Sequence, residues 1–187
     1  MQFIAGATGI DRDLVAQVEG RGDWAVQVAL AIRGKPAVGA IALPARGLLL
    51  RSDVPPALPW AKDRLRLLVS RTRPPVQTAT LAKLLKAEIV PMGSAGAKVA
   101  ALLLGDGEIY LHSGGQHEWD NCAPVAVALA AGLDATRLDG KPLVYNGANA
   151  QQPDLVVSHP AVTQELRDAL DRLAGAMPAR SSVQGAS

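Results

Sequence analysis

The chain has 187 residues, 49% of them hydrophobic and only 3% aromatic, with a formal net charge of +2. That length suits one domain with a core of Ala, Val, Leu and Ile, and it is too short for two ordinary domains. The composition excludes a disordered chain, the small charge excess argues against nucleic acid, and no apolar run reaches the ~18–20 residues of a membrane helix.

The first residues carry no basic flank ahead of an apolar stretch, so they make a poor signal peptide. The single cysteine, Cys122, excludes an internal disulfide. A cytoplasmic protein is expected.

In chain order, residues 24–32 predict a strand. Gly34-Lys35-Pro36 is a turn, 38–43 a second strand, Pro44-Ala45-Arg46-Gly47 another turn, and 48–50 a third strand. Short turns between short apolar runs predict an antiparallel meander. Pro55, Pro56 and Pro59 forbid regular structure over 52–64. A strand follows at 65–70, then a helix over 77–87 with Leu81, Leu84 and Leu85 on one face. A brief strand at Ile89 and Val90 leads to an Ala- and Leu-rich helix over 95–104. A strand at 108–112 ends where Gly114-Gly115 opens a loop. The helix over 121–131 is stopped by Gly132 and takes Pro124 in its first turn. Strands near 136–138 and 155–158, a helix over 161–174 and a frayed tail over 180–187 complete the chain. The pattern predicts an α/β or α+β layered domain.

Four segments carry chemistry: Ser70-Arg71-Thr72-Arg73, Gly93-Ser94-Ala95-Gly96-Ala97-Lys98, Tyr110-Leu111-His112 and Glu118-Trp119-Asp120. Each falls at a strand end or a helix start, where layered α/β proteins build ligand sites. The 93–98 segment joins a strand to a helix N-terminus, whose free N–H groups and dipole favour an anion. Ser94 adds a hydroxyl and Lys98 a positive charge. The plainer reading is a Ser94 cap with an exposed lysine one turn on. Asp120 reads either as an N-cap or as an oxygen ligand for a hard cation. Trp119 reads as a packing anchor before a stacking platform. His112 and His117, five apart, fit no usual zinc spacing. Arg71 and Arg73 are loop arginines or bidentate phosphate donors. Cys122 reads as a small core residue.

In order and spacing these segments, with Glu108-Ile109-Tyr110-Leu111-His112, Asn121-Cys122-Ala123-Pro124 and Leu138-Asp139-Gly140-Lys141-Pro142-Leu143, resemble the second half of the inositol monophosphatase superfamily. The Ser70-Arg71 turn and Lys98 make the chain look like its CysQ-type 3'(2'),5'-bisphosphate nucleotidases. The resemblance runs from about Gly20 to about Leu173. It implies a truncated inositol-monophosphatase-like fold, with an atypical segment at 1–19, the domain at 20–176 and a flexible tail at 177–187. It implies Mg2+-dependent removal of the 3'-phosphate of 3'-phosphoadenosine 5'-phosphate, with a small phosphorylated nucleotide as partner. By resemblance Asp120 is a metal ligand, and Ser70, Arg73, Ser94, Lys98 and His112 are substrate contacts; no residue is assigned a catalytic role.

The chain has no Asp-Pro dipeptide, so the family's Asp-Pro-x-Asp-Gly-Thr motif is missing. Its second aspartate falls near Asp11, with Thr8 in place of the first. The metal site is therefore expected to be incomplete, and the exposed face to call for a second copy or another partner. A catalytically dead phosphate- or nucleotide-binding fragment and an inositol monophosphatase-type activity stand as the alternatives.

Overall fold

The computed structural model describes residues 2–6 and 20–176. The expectations placed on Thr8, Asp11 and the tail lie outside the described residues.

Nine strands form two sheets among these residues. The first has the order β1 (Gln2–Gly6), β2 (Val26–Ile32), β3 (Lys35–Leu43), β4 (Leu48–Arg51), all antiparallel. It is the expected meander with one more strand in front. The second has the order β6 (Glu88–Met92), β5 (Arg66–Ser70), β7 (Ile109–His117), β9 (Gln151–Ser158), β8 (Asp134–Thr136). Here β5 runs parallel to both β6 and β7, while β9 is antiparallel to β7 and β8.

Helices α2 (Ala95–Leu103) and α3 (Glu118–Ala131) pack between the sheets. Helices α1 (Thr78–Leu84) and α4 (Thr163–Ala176) cover the far side of the second sheet. The strand period of two explains the layering. On β5, Leu68 joins the core with α2 and α3, whereas Leu67 and Val69 face α1 and α4. The α3 layer lies close to the first sheet because both surfaces are built from small residues. Ala29 and Ala31 on β2 face inward, and a Cβ at Gly39 would stand 2.5 Å from the Ala123 carbonyl and 2.8 Å from the Ala126 Cβ. The other face of this sheet leaves Val26, Val28, Ile32, Val38 and Leu49 exposed.

Three local expectations are corrected. Leu84 is 41% exposed, because Thr78, Leu81, Ala82 and Leu85 define the buried stripe of α1 and Leu84 falls outside it. Gly114-Gly115 does not end β7. The strand continues across a pairing irregularity between Ser113 and Gln116, which the two glycines absorb with φ of +79° and +76°. β7 then runs directly into α3, which begins at Glu118, so Pro124 lies inside the helix and not in its first turn. The donor that Pro124 lacks is replaced from outside: the Gln27 side chain donates to the Asp120 carbonyl at 2.9 Å and the Trp119 carbonyl at 3.0 Å.

No helix among the described residues is long and apolar enough to cross a membrane.

Candidate functional site

The ends of β5, β6 and β7 and the starts of α2 and α3 meet at one edge of the α2–α3 layer. Arg71 N–H donates to the Met92 carbonyl at 3.0 Å, which carries the β5–β6 pairing one step past the strands. This places the Arg71 side chain beside the 93–98 turn.

Lys98 is buried, not an exposed lysine. Its ammonium donates to the carbonyls of Gly93 and, at 3.0 Å, Ser94, and it stands 5.0 Å from the Tyr110 ring centroid. Burial pushes it down to about 7, with Arg71 acting in the same sense and Asp23 and Asp120 opposing. Lys98 is thus bonded to the 93–98 turn and lies within electrostatic reach of Asp120. Tyr110 lies beneath both. Its hydroxyl accepts from Gln116 at 2.7 Å, and Gln116 in turn accepts from Asn121 at 3.0 Å, which ties β7 to α3 through buried polar groups.

His112 is buried on the same strand, and among the described residues neither ring nitrogen makes a hydrogen bond of full geometry. Burial pushes its imidazole down to about 4, helped by the charges of Lys98 and Arg73 and opposed by the Gly114 backbone and Asp154. It is therefore neutral at pH 7. Arg73 is exposed and reaches over Gly115, where a Cβ would meet its guanidinium at 3.0 Å. Glycine at 115 keeps that path open. Ser70 accepts from the Arg73 N–H at 3.2 Å, so it shapes the turn that carries Arg73. Ser94 caps α2, accepting from the Ala97 N–H at 3.5 Å.

Asp120 is not the N-cap of α3. His117 takes that position, and Asp120 at N3 accepts the His117 N–H at 2.7 Å, closing a capping box. Trp119 is 39% exposed and stacks on His117 at 4.4 Å with 5° between the rings, so it is a surface pair and not a packing anchor.

Three contributors have no role assigned from the sequence: Asp23 lies outside the marked segments, while Tyr110 and Glu118 stand within them. Asp23 accepts from the Gly93 N–H at 2.6 Å and from Arg71. Burial alone raises its carboxyl, but the Gly93 N–H and Arg71 outweigh that and hold it below the usual carboxylate range. Tyr110 supplies the ring under Lys98. Glu118 is a buried carboxylate that accepts from the Asn146 N–H at 2.6 Å and the Gly147 N–H at 3.0 Å.

The donor set was tested against a magnesium ion, which needs several oxygen ligands in near-octahedral order. Among the described residues no group of three or more His, Cys, Asp or Glu converges. One Asp120 oxygen caps α3, Asp23 is engaged by Arg71 and Gly93, and the buried Lys98 ammonium lies within electrostatic reach of both carboxylates. The described residues alone do not fit the ion.

This architecture has known counterparts. The inositol monophosphatase family model matches residues 59–172, and the chain belongs to that family. Within it, the chain is 44% identical over 163 residues to the 3'-phosphoadenosine 5'-phosphate phosphatase of Mycobacterium bovis, covering 81% of this chain and 60% of the relative. The Mycobacterium leprae enzyme of the same name is 46% identical over 151 residues, covering 74% and 56%. The chain thus spans less than two thirds of the length of these curated relatives. Among solved structures, CysQ from Bacteroides thetaiotaomicron aligns with a TM-score of 0.67 at 23% identity, over 78% of this chain and 66% of that one. Inositol monophosphate-bound SaIMPase-II aligns with a TM-score of 0.73 at 17% identity, over 93% and 70%. The layered α/β fold is therefore that of the family.

Proposed function

We propose that this chain holds the substrate of a phosphatase acting on 3'-phosphoadenosine 5'-phosphate, with removal of the 3'-phosphate as the reaction of the whole protein. The observation that carries the reading is the buried Lys98 ammonium, flanked by Arg71, Arg73 and neutral His112, at the helix-start turn of a chain 44–46% identical to phosphatases of that name. A phosphate dianion placed there gains a desolvated cation, an exposed guanidinium and an imidazole able to donate one hydrogen bond. Ser94 and Ser70 contribute through the turns they shape.

The family is metal-dependent. A magnesium ion, if bound, would supply an activated water and neutralise the leaving oxygen. Asp120 would be the carboxylate offered to it. A cytoplasmic protein with a small phosphorylated nucleotide as partner is consistent with the single cysteine and the local clustering of cations. An inositol phosphate substrate is the weaker reading, because Inositol monophosphatase 3 of Danio rerio matches at 29% identity against 44–46% for the mycobacterial nucleotide phosphatases.

The test is calorimetric titration of the purified chain with 3'-phosphoadenosine 5'-phosphate and with inositol 1-phosphate, alongside phosphate release with and without Mg2+. The expected result is tighter binding of the nucleotide, weakened by Lys98→Ala, with any release strictly dependent on Mg2+. No heat at millimolar nucleotide, or preference for the inositol phosphate, overturns the reading.

A further inference from the structure

We propose that Asp23, which lies outside all four segments that mark the site in the sequence, is its positioning residue, holding Arg71 and the Gly93 N–H in one fixed arrangement. The inference rests on the reading of the 93–98 turn as the phosphate-holding element.

The geometry is specific. Asp23 precedes β2 of the first sheet, while its two partners directly follow β5 and β6 of the second sheet, 48 and 70 positions further along the chain. One oxygen, Oδ2, accepts from both the Arg71 guanidinium and the Gly93 N–H. The Asp23 side chain is 16% exposed, so this oxygen is largely shielded from water. The fit extends to the backbone: a Cβ at Gly93 would meet the Asp23 carbonyl at 2.9 Å and Oδ2 at 3.1 Å. Glycine at 93 is what lets the aspartate approach this closely.

The contact is transmitted to Lys98. The Gly93 carbonyl accepts from the Lys98 ammonium, and Ser94, the next residue, accepts from it through its own carbonyl. Fixing the Gly93 peptide by its N–H therefore also fixes the carbonyl that anchors Lys98. Arg71 is held from two sides, by its N–H on the Met92 carbonyl and by its side chain on Asp23. One carboxylate thus sets the relative placement of the cations that a phosphate meets. A small misplacement of such groups is expensive, which makes their support part of the site.

A carboxylate so near an anion site has a second conceivable effect, simple repulsion of the ligand, and the two effects differ in sign. Positioning predicts that loss of Asp23 weakens binding, whereas competition predicts that it strengthens binding.

The experiment uses the full chain and three proteins: unaltered, Asp23→Ala and Asp23→Asn. Amide hydrogen exchange at Gly93, compared with core amides of Leu67 and Leu111, reads the turn without any nucleotide. Calorimetry with 3'-phosphoadenosine 5'-phosphate reads the site. Asp23→Ala is expected to speed exchange at Gly93 about tenfold and to weaken nucleotide binding about tenfold, the scale of one charge-assisted hydrogen bond, with core exchange unchanged. Asp23→Asn, which keeps an acceptor for Gly93 but not the charge for Arg71, is expected to retain most of the Gly93 protection and to lose about threefold in affinity. Unchanged Gly93 exchange in Asp23→Ala, equal acceleration at Leu67 and Leu111, or tighter nucleotide binding each overturns the proposal. If the unaltered chain does not bind nucleotide, the functional reading falls, and the Gly93 exchange rate alone decides whether Asp23 holds the turn.

Discussion

The side-chain amide of Gln27 donates to the carbonyl of Asp120, across the interface between the first sheet and α3, at 2.9 Å. That carbonyl lies one helical turn before Pro124, the residue that cannot supply the usual N–H. Gln27 is 2% exposed in a strand otherwise made of Val, Ala, Leu and Ile. A buried polar residue in that setting completes a helix from outside. Replacing it by leucine keeps the volume and leaves the Asp120 carbonyl, which Pro124 cannot serve, without a donor. Gln27→Leu is expected to lower stability by about 1–3 kcal/mol, read as a reduced urea midpoint with an unchanged slope. A midpoint equal to that of the unaltered chain would show that the helix satisfies this carbonyl without β2.

Gly39 tests the spacing of the same interface. Its missing Cβ is needed because backbone atoms of α3 occupy the space, at 2.5 Å and 3.0 Å from where that carbon would lie. Backbone cannot yield as a flexible side chain does, so Gly39→Ala is expected to cost about 1–3 kcal/mol through forced separation of sheet and helix. Gly22→Ala is the control: its Cβ would have an ordinary contact of 3.6 Å with Ala45. It is expected to be neutral or to stabilise by a few tenths of a kcal/mol, by restricting the unfolded chain. Equal thermal midpoints for the two variants would refute the close approach.

Lys98 links proton binding to both folding and ligand. Its folded value of about 7 lies below the ~10.4 of an exposed lysine. Between those values the unfolded chain holds a proton that the folded chain has released, so stability rises with pH from about 7 to about 10 and is lowest below 7. Asp23 and Asp120 favour the charged form and Arg71 opposes it, but burial outweighs them. A bound phosphate favours the ammonium, so binding takes up a proton and affinity falls as pH climbs above 7. Titration at pH 8 in two buffers of different ionisation enthalpy is expected to show this uptake, and Lys98→Met to abolish it. Identical apparent enthalpies in both buffers for the unaltered chain would contradict a phosphate seated on Lys98.

The elements were legible where the pattern is local. The 2.0 period of β2 and β3, the Pro-rich break over 52–64 and the Gly132 stop of α3 are each set by neighbouring residues. The misreadings are long-range. Gly114-Gly115 reads as a loop because glycines weaken strands, whereas pairing with β9 at Ser113 and again at Gln116 carries β7 past them. Pro124 reads as a first-turn residue because Gln27, which permits it deeper in the helix, lies nearly a hundred positions earlier. Within the site, Lys98, Asp120 and His112 stand in segments with a recognisable order. Asp23 stands in a glycine-rich approach to a strand with no periodicity, and its partners are set by the packing of one sheet against the next layer.

Glu118, at the N-terminus of α3, is a buried carboxylate that among the described residues forms no salt bridge and is held by the N–H groups of Asn146 and Gly147. Two N–H groups meet this carboxylate at the positive end of the helix dipole. Asn146 sits at φ +62°, a left-handed conformation that this carboxylate secures by accepting from two successive N–H groups. Glu118 N–H also donates to the Ala150 carbonyl at 2.7 Å, so one residue fastens the 146–150 segment beside the helix that carries Asp120. Glu118→Ala is expected to cost about 2 kcal/mol and to raise amide exchange first at Asn146 and Gly147, before the core of the second sheet. Glu118→Gln keeps one acceptor and turns an NH2 group toward the other N–H, so about half the loss remains. If Glu118→Ala exchanged uniformly across the domain, the residue would be supporting the core as a whole and not fastening this segment.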